Sequence, residues 1–352
     1  MHWPEFKARS RARTQRRIHW FSRRYTMSNK LKTAVAAVTL AVSSTSFAGG
    51  HSGCGDVSIG AMGWASAESL SALAGFVMEQ GYGCSVSIVP TDTVPAVTSL
   101  AENNEPDVVP EVWVNSAPTY GELEADGKVV TASPTFAEGG QEGWWIPEYL
   151  AEQHPELTEI ENVLANPELV GGRFHNCPVG WGCRLVNDNL KVVHDLDGNG
   201  IEVFDHGSGA NLAASIASAF ESQEPWFGYY WGPTAVLGKY KMVQVNIGDV
   251  DPAVHAENQK EEADPSKIGV SGFPAAPVVN AITASFAERE PEVAQFMENF
   301  SLPNSIISEM LAWKEENNAS ADETAAYVLQ NHKDLVLDMV NDSAREKLNA
   351  LL

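Results

Sequence analysis

Long apolar stretches are scarce in this sequence of 352 residues. After residue 48, no segment approaches the roughly 20 consecutive apolar residues that a membrane-spanning helix needs. The common enzyme motifs are missing too: there is no Walker A loop, no G-x-S-x-G and no H-E-x-x-H. These absences argue against an integral membrane protein, a P-loop nucleotidase, an α/β-hydrolase of the usual type and a zinc peptidase.

Basic residues are scarce outside the N-terminal region. The first 48 residues hold ten of the 23 Lys and Arg residues and one of the 46 Asp and Glu residues. The remainder therefore carries 13 basic against 45 acidic residues, a net charge of −32. Such a surface repels nucleic acid and anionic membranes, so neither is expected as a partner.

The N-terminal region has the pattern of a secretory signal. Eight Lys and Arg residues lie within residues 1–26, and Lys30 and Lys32 precede an apolar run over residues 33–42. Small residues follow, which predicts cleavage after Ala48. We expect residues 1–48 to be a leader, Met27 to be the true start and the mature protein to be periplasmic. The alternative is that the basic extension before Met27 belongs to the signal.

Only four cysteines are present, and all lie after the predicted cleavage site: Cys54, Cys84, Cys177 and Cys183. An even number in an exported protein predicts disulfides. Sequence order favours the pairs 54–84 and 177–183, although four cysteines allow three pairings.

The order of predicted elements indicates an α/β fold. Strands are predicted over residues 57–62, 85–89 and 108–114, and the first is followed by a helix with Ser66 as its N-cap. Strand–helix–strand alternation is typical of parallel sheets, whose ligand sites lie at the carboxyl ends of the strands. The length favours two lobes. We predict that residues 49–143 and 248–352 form lobe 1 and residues 144–247 form lobe 2.

The segment Cys177-Pro-Val-Gly-Trp-Gly-Cys183 holds one tryptophan in a short loop between two cysteines. A disulfide there would hold Trp181 as a rigid plate. The glycines let the backbone approach a ligand and direct N–H groups at it. A solute with a cationic head and an anionic tail suits such a loop. The plain alternative is a structural clip.

Tryptophans carry the main functional signal. Eight of the ten follow residue 48, and five of these eight lie in or beside glycine or proline turns at predicted strand ends: 64, 144, 145, 181 and 231. Indole faces around a methylated ammonium group suit a cation that cannot donate hydrogen bonds. Core packing is the alternative for Trp226, Trp313 and one of the pair Trp144 and Trp145.

Two other segments suggest ions or anionic groups. Asp195, Asp197 and Asn199, followed by Gly200, match the first half of a calcium-binding EF-hand loop, but its twelfth position is His206 rather than Glu. A bound Ca²⁺ is therefore weighed against a polar turn. Gly207-Ser-Gly209 could cap an anionic group at a helix start, although a tight turn suits it better.

Several motifs resemble the periplasmic glycine betaine and proline betaine binding proteins. The segment Asn176-Cys-Pro-Val-Gly-Trp-Gly-Cys183 resembles their Cys-x-x-Gly-Trp-Gly-Cys loop, and Pro225-Trp-Phe-Gly-Tyr-Tyr-Trp231-Gly-Pro resembles their aromatic strand. Gly272-Phe-Pro and Phe286-Ala-Glu-Arg-Glu-Pro resemble their C-terminal region, and Glu111-Val-Trp113 resembles an early strand end. The likeness covers most of residues 56–352.

The resemblance implies the substrate-binding subunit of an ABC importer, a type II-like periplasmic binding protein with the ligand in a cleft between two α/β lobes. It also implies a membrane permease partner and no cofactor; a monomer is expected. The cage would consist of Trp113, Trp181 and Trp231, with Gly182 and Cys183 donating N–H groups to a ligand carboxylate. Trp64, the pair Trp144 and Trp145, and Glu111 depart from the betaine pattern. We include Trp64, Trp145 and Glu111 as candidate ligand-binding residues.

Glu111 favours ligands without a carboxylate. It lies two residues before Trp113, so both side chains of a strand would point to one face. A carboxylate there attracts a cation and repels an anionic tail. Trimethylamine N-oxide or choline is therefore preferred to glycine betaine, with dimethylsulfoniopropionate or another betaine as the alternative. Glu111 could instead cap a helix.

Two further function classes are weighed. An enzyme on the same scaffold could use His206 and Asp205, but the missing nucleophile motif argues against it. A sensor or chaperone subunit with the same lobes would need a partner assay to be distinguished.

Overall fold

The computed structural model describes residues 53–352. The predicted leader, its cleavage site and the start at Met27 lie outside the described residues. Within residues 53–352 no helix is long and apolar enough to cross a membrane. The strands are β1 (Asp56–Met62), β2 (Ser85–Thr91), β3 (Val108–Trp113), β4 (Val129–Pro134), β5 (Gln141–Pro147), β6 (Arg173–Asn176), β7 (Glu202–Asp205), β8 (Gly228–Gly232), β9 (Met242–Gln244) and β10 (Val278–Thr283).

The first sheet has the order β2-β1-β3-β10-β4. Strand β1 runs parallel to β2 and β3, and β10 runs antiparallel to β3 and β4. Every residue of β3 and of β10 is buried, because both are inner strands with helices packed on the sheet. The carboxyl ends of β1 and β3 therefore meet at one edge, where Trp64 and Trp113 lie.

The second sheet has the order β7-β6-β8-β5-β9, with β6 parallel to β7 and β8 and with β5 antiparallel to β8 and β9. The chain leaves the first sheet after β4 and returns with β10, so two segments connect the sheets. Gly140 and Ala276 of these two segments exchange backbone hydrogen bonds of 2.8 and 3.1 Å. We call the first sheet with its helices the first lobe and the second sheet with its helices the second lobe. The residue bounds that the sequence predicts for them stay a prediction.

Helices cover both sheets. They are α1 (Ala65–Val77), α2 (Thr93–Asn103), α3 (Tyr120–Ala125), α4 (Glu148–Gln153), α5 (Ile160–Ala165), α6 (Gly182–Val193), α7 (Gly209–Ser222), α8 (Ala235–Lys239), α9 (Pro252–Asn258), α10 (Ala284–Arg289), α11 (Pro291–Asn299), α12 (Asn304–Asn317), α13 (Ala321–Asn331), α14 (Lys333–Asp338) and α15 (Asp342–Leu351). A π-helical turn (Met78–Tyr82) extends α1.

One predicted helix start is wrong. The N-cap of α1 is Trp64 rather than Ser66, and no side chain caps it. Ser66 is the second residue of this helix, and its hydroxyl donates to the carboxyl of Glu111 at 2.8 Å. At Gly207-Ser-Gly209 the favoured turn is present: Ser208 caps α7 and accepts from the Asn211 N–H at 3.2 Å.

Both expected disulfides are present. Cys54 bonds to Cys84, and Cys177 bonds to Cys183 six residues further along the chain. The first ties the start of β1 to the start of β2. The second closes the loop between β6 and α6, so Trp181 lies directly before the first turn of a helix.

Candidate functional site

Three tryptophan rings meet between the lobes. The centroids of Trp64 and Trp181 are 4.9 Å apart with ring planes at 69°, and those of Trp181 and Trp231 are 5.1 Å apart at 82°. Trp64 follows β1 in the first lobe, whereas Trp181 precedes α6 and Trp231 belongs to β8 in the second. Because the planes are steeply inclined, the rings form adjoining walls rather than a stack.

These rings surround a small cavity. Its volume is about 20 Å³, little more than one water molecule occupies. Both lobes supply its lining, which consists of Trp64, Thr93, Trp113, Ser116, Glu142, Trp181, Gly182, Cys183, Tyr229 and Trp231. Aromatic surface with a few convergent polar groups is typical of small-ligand sites.

Six of the eight predicted ligand-binding residues line this cavity: Trp64, Trp113, Trp181, Gly182, Cys183 and Trp231. Their role in binding stays a prediction. Gly182 and Cys183 open α6, and the first N–H groups of a helix have no partner within it. A ligand oxygen could accept from them.

The other two predicted residues do not line the cavity. The indole N–H of Trp145 donates to the Tyr230 carbonyl at 3.0 Å, within the second sheet. Its neighbour Trp144 is fully buried and donates to Asn187 at 2.9 Å. Glu111 is also fully buried, behind the wall that Trp64 and Trp113 form.

Glu142 is a cavity residue that the sequence did not single out. The residue is 2 % exposed. The Tyr229 hydroxyl donates to Oε1 at 2.7 Å, and the Ser116 hydroxyl donates to Oε1 at 2.8 Å and Oε2 at 3.1 Å. Burial raises the pKa of Glu142, and these two donors lower it in part. The sequence signal was an acid beside glycine in the segment predicted to cross between lobes.

Contacts across the cleft hold Trp181 against the first lobe. Its indole N–H donates to Oδ1 of Asp92 at 3.1 Å, and the Val94 N–H donates to the Gly180 carbonyl at 3.0 Å. Burial raises the pKa of Asp92, while hydrogen bonds from the Gly63 backbone and the Trp181 indole lower it. The lobes therefore meet directly at the loop that carries Trp181.

The predicted calcium loop is held by internal hydrogen bonds. Oδ1 of Asp195 accepts from the Gly198 N–H at 3.3 Å, and the amide of Asn199 donates to the Asp195 carbonyl at 2.8 Å. No group of three or more His, Cys, Asp or Glu residues that could hold a metal ion occurs between residues 53 and 352. Calcium binding by Asp195, Asp197 and Asn199 stays a prediction.

The residues weighed for an enzyme do not line the cavity either. Nε2 of His206 lies 2.9 Å from Nδ1 of His175, and burial lowers the pKa of both rings. Asp205 forms an ion pair with Arg184 at 2.8 Å. His206 and Asp205 therefore each contact another side chain of the second lobe.

Comparison with known proteins identifies the type of domain. The family model described as the substrate binding domain of the ABC-type glycine betaine transport system matches residues 55–331. No curated protein sequence matches the chain.

Solved structures share the fold. A glycine betaine, L-proline ABC transporter binding protein (ProX) from Borrelia burgdorferi has a TM-score of 0.67 at 16 % identity, covering 83 % of this chain and 99 % of that one. An ABC-transporter choline binding protein in complex with choline has a TM-score of 0.67 at 19 % identity, covering 85 % and 98 %. Lactococcal OpuAC, closed on glycine betaine, has a TM-score of 0.62 at 16 % identity, covering 81 % and 99 %. The fold is therefore that of the two-lobed periplasmic binding proteins, as the sequence predicted.

Proposed function

The chain belongs to the family of substrate-binding domains of ABC-type glycine betaine transport systems, and we propose that it captures a small methylated ammonium solute without a carboxylate. It is a substrate-binding protein of an ABC importer rather than an enzyme. Among such solutes trimethylamine N-oxide is the favoured ligand, followed by choline.

The tryptophan walls support a methylated cation as the ligand. Such a group has no N–H to donate, so hydrogen-bond acceptors alone recognise it poorly. A cation over an indole face gains about 0.5–2 kcal/mol, and the gain is largest where water is excluded. Trp64, Trp181 and Trp231 are each 5–7 % exposed, which meets that condition.

Glu142 is the observation that carries the ligand class. The lining of the cavity, as far as the chain is described, includes no Lys, Arg or His, and its one carboxyl group is that of Glu142. A carboxylate ligand would lie beside this buried acid without a basic partner, which costs free energy. A hydroxyl or a protonated N-oxide would donate to the same oxygens.

The size of the cavity and the raised pKa of Glu142 favour trimethylamine N-oxide over choline. It is the smaller solute, so its entry requires the least displacement of the walls around about 20 Å³. Burial raises the pKa of Glu142, so its carboxyl gains a proton at higher pH than an exposed acid does, and the N-oxide oxygen can share that proton. Affinity for trimethylamine N-oxide should therefore rise as the pH falls toward the pKa of Glu142. Affinity for choline, which needs the carboxylate, should fall.

Isothermal titration with trimethylamine N-oxide, choline and glycine betaine tests the proposal. The wild type should bind the first two more tightly than glycine betaine. Glu142→Gln should weaken choline binding by about tenfold or more, since it removes a buried charge-assisted interaction. Trimethylamine N-oxide should lose less, because the glutamine amide can still donate.

The matched control is Glu138→Gln, four residues earlier, where the carboxyl accepts from the Asn304 N–H at 2.7 Å and does not line the cavity. It should leave all three affinities unchanged. Tightest binding of glycine betaine by the wild type, with no effect of Glu142→Gln, would contradict the proposed ligand class. Dimethylsulfoniopropionate in the same titration tests the alternative betaine-type solute.

We propose further that the protein is exported to the periplasm, acts as a monomer and delivers its ligand to a membrane permease subunit. N-terminal sequencing of the secreted protein should begin at Gly49. Light scattering should give the mass of a single chain. Recovery of the protein with residues 1–48 attached, in the cytoplasmic fraction, would contradict export.

A further inference from the structure

Three hydrogen-bond donors converge on one oxygen of Glu111. The indole N–H of Trp64 donates to Oε1 at 2.5 Å, the hydroxyl of Ser66 at 2.8 Å and the indole N–H of Trp113 at 3.2 Å. The other oxygen, Oε2, is buried and has no hydrogen-bond partner. All three donors are neutral, so no basic side chain among them offsets the burial of the acid.

The backbone is shaped to bring this carboxyl to the two indoles. The register between β3 and β10 shifts at this point: Val112 pairs with Val279 and Val109 with Ala281, so two residues of β3 lie opposite one of β10. Such a bulge re-aims a side chain. Glu111 also has φ = +65°, a conformation that residues other than glycine rarely adopt. Its N–H donates to the Thr135 hydroxyl at 3.3 Å.

We propose that Glu111 is the positioning residue of the ligand cavity: its carboxyl fixes the orientation of the indoles of Trp64 and Trp113 from behind. This inference rests on the proposed function of the cavity. Glu111 does not touch the solute. It acts through two aromatic walls on different elements, one before α1 and one at the end of β3.

A purely structural role would not require an acid here. An apolar side chain would fill a buried strand position without the cost of burying a carboxyl. Burial raises the pKa of Glu111 to about 7, while the bonds from Trp64, Ser66 and Trp113 lower it. Buried ionisable groups of this kind are concentrated at functional sites. The helix-capping role weighed from the sequence does not apply, since α1 has no side-chain cap.

The ring of Trp113 is held at both ends. At its far end the six-membered ring packs on Gly140, where a Cβ atom would lie 2.3 Å from ring carbons. Phe136 meets it edge-on at a centroid distance of 5.8 Å. At its near end the N–H is tied to Glu111. Without the acceptor, the indole N–H groups of Trp64 and Trp113 would be buried unpaired, and the rings would reorient to satisfy them.

The test compares Glu111→Gln with Asp107→Asn by titration with trimethylamine N-oxide and choline. Asp107 is the matched control: it directly precedes the same strand, is 8 % exposed and accepts from the Ser58 N–H, the Ser58 hydroxyl and Arg289 at 2.9–3.0 Å. Glu111→Gln should weaken binding of the preferred solute by about tenfold, because neutral acceptors hold the indoles less firmly. Asp107→Asn should change affinity by less than about twofold at a similar loss of stability.

Near-ultraviolet circular dichroism supplies the readout that a structural role would not move. Glu111→Gln should change the tryptophan bands of the ligand-free protein, and Asp107→Asn should not. Wild-type affinity and unchanged bands in folded Glu111→Gln would overturn the inference, as would an equal loss of affinity in both variants. If Glu111→Gln does not fold, Ser66→Ala tests the positioning role instead, because it removes one of the three donors to Oε1. It should weaken binding about two- to threefold. Unchanged affinity of Ser66→Ala would overturn the inference.

Failure of this inference is distinguishable from failure of the proposed function. If the wild type binds neither trimethylamine N-oxide nor choline, the proposed function is wrong. If the wild type binds and the Glu111 variants bind equally well, the positioning role alone is wrong.

Discussion

Replacing Gly182 by alanine should block the approach of the two lobes. Gly182 is the first residue of α6 and follows Trp181 directly. A Cβ atom there would lie 1.3 Å from the carbonyl oxygen of Ser116 and 2.4 Å from its carbonyl carbon. Ser116 follows β3 in the first lobe, and a backbone carbonyl cannot move aside as a flexible side chain can. Relief therefore requires the two segments to part by about 2 Å, since ordinary contacts begin near 3.5 Å.

That displacement breaks the interactions that hold Trp181 at the cleft. The Trp181 N–H is 3.1 Å from Asp92 and the Val94 N–H is 3.0 Å from the Gly180 carbonyl, so both bonds are lost at the larger separation. A bond to a charged group contributes about 1.5–3 kcal/mol and a neutral one about 1 kcal/mol. Reduced contact of the Trp181 face with a cation costs about 1 kcal/mol more. A total loss of at least about 3 kcal/mol corresponds to a dissociation constant raised more than about 100-fold.

Titration calorimetry and thermal unfolding of the ligand-free protein test this together. The variant should lose affinity while both lobes stay folded, since the clash lies at the contact between the lobes and not in the core of either. Gly121→Ala is the control, because a Cβ atom at Gly121 meets nothing within 4 Å and the residue lies in α3 outside the cavity. Wild-type affinity of Gly182→Ala would refute the account of how the lobes meet.

The remaining predictions concern the aromatic walls, a disulfide, pH and calcium. Trp181→Ala and Trp231→Ala should each weaken binding by about tenfold to a few hundred-fold in fluorescence titration, because cation–π contact and buried area are lost. Unchanged affinity in both folded variants would refute binding of the ligand by a tryptophan cage. Reducing the Cys177–Cys183 bond should lower the free energy of unfolding by about 2–3 kcal/mol. Hydrogen exchange should then speed up more in the Trp181 loop than in the rest of the second lobe, and a uniform increase across the lobe would contradict this. Burial raises the pKa of Glu111 from 4.5 to about 7, so protonation of Glu111 stabilises the fold fully below pH 4.5, and this stabilisation is lost as the pH rises through 7. Glu111→Gln should remove on the order of 3 kcal/mol of the pH dependence of the free energy of unfolding in urea. An unchanged pH profile would refute this assignment. Added Ca²⁺ should raise the melting temperature if Asp195, Asp197 and Asn199 bind it, and no change would eliminate that site.

The positions of the cavity tryptophans could be predicted because local signals specify them. Trp64 and Trp181 each lie beside a glycine at the end of an element, and the Cys177–Cys183 loop is short enough to constrain the ring within it. Alternation of strands and helices likewise predicted the α/β fold. The pair Trp144 and Trp145 was harder, since successive strand residues face opposite sides and both sides of β5 are buried.

The acids of the site depend on contacts between distant parts of the chain. The partners of Glu142 are 26 and 87 residues away, at Ser116 and Tyr229. The orientation of Glu111 follows from a bulge that only the pairing with β10 creates. Ser66 has the residue type of an N-cap, but the helix begins at Ala65 and the Ser66 hydroxyl donates to the Glu111 carboxyl, 45 residues further along the chain. Sequence periodicity contains no record of such contacts between distant residues.

A crystal structure of the protein with trimethylamine N-oxide would show directly whether the tryptophan walls and Glu142 bind the solute. The ligand nitrogen should lie within about 6 Å of the ring centroids of Trp64, Trp181 and Trp231. The N-oxide oxygen should lie within hydrogen-bond distance of the Glu142 carboxyl, about 2.5–3.0 Å. A ligand bound outside these rings, or one whose oxygen points away from Glu142, would contradict this mode of binding.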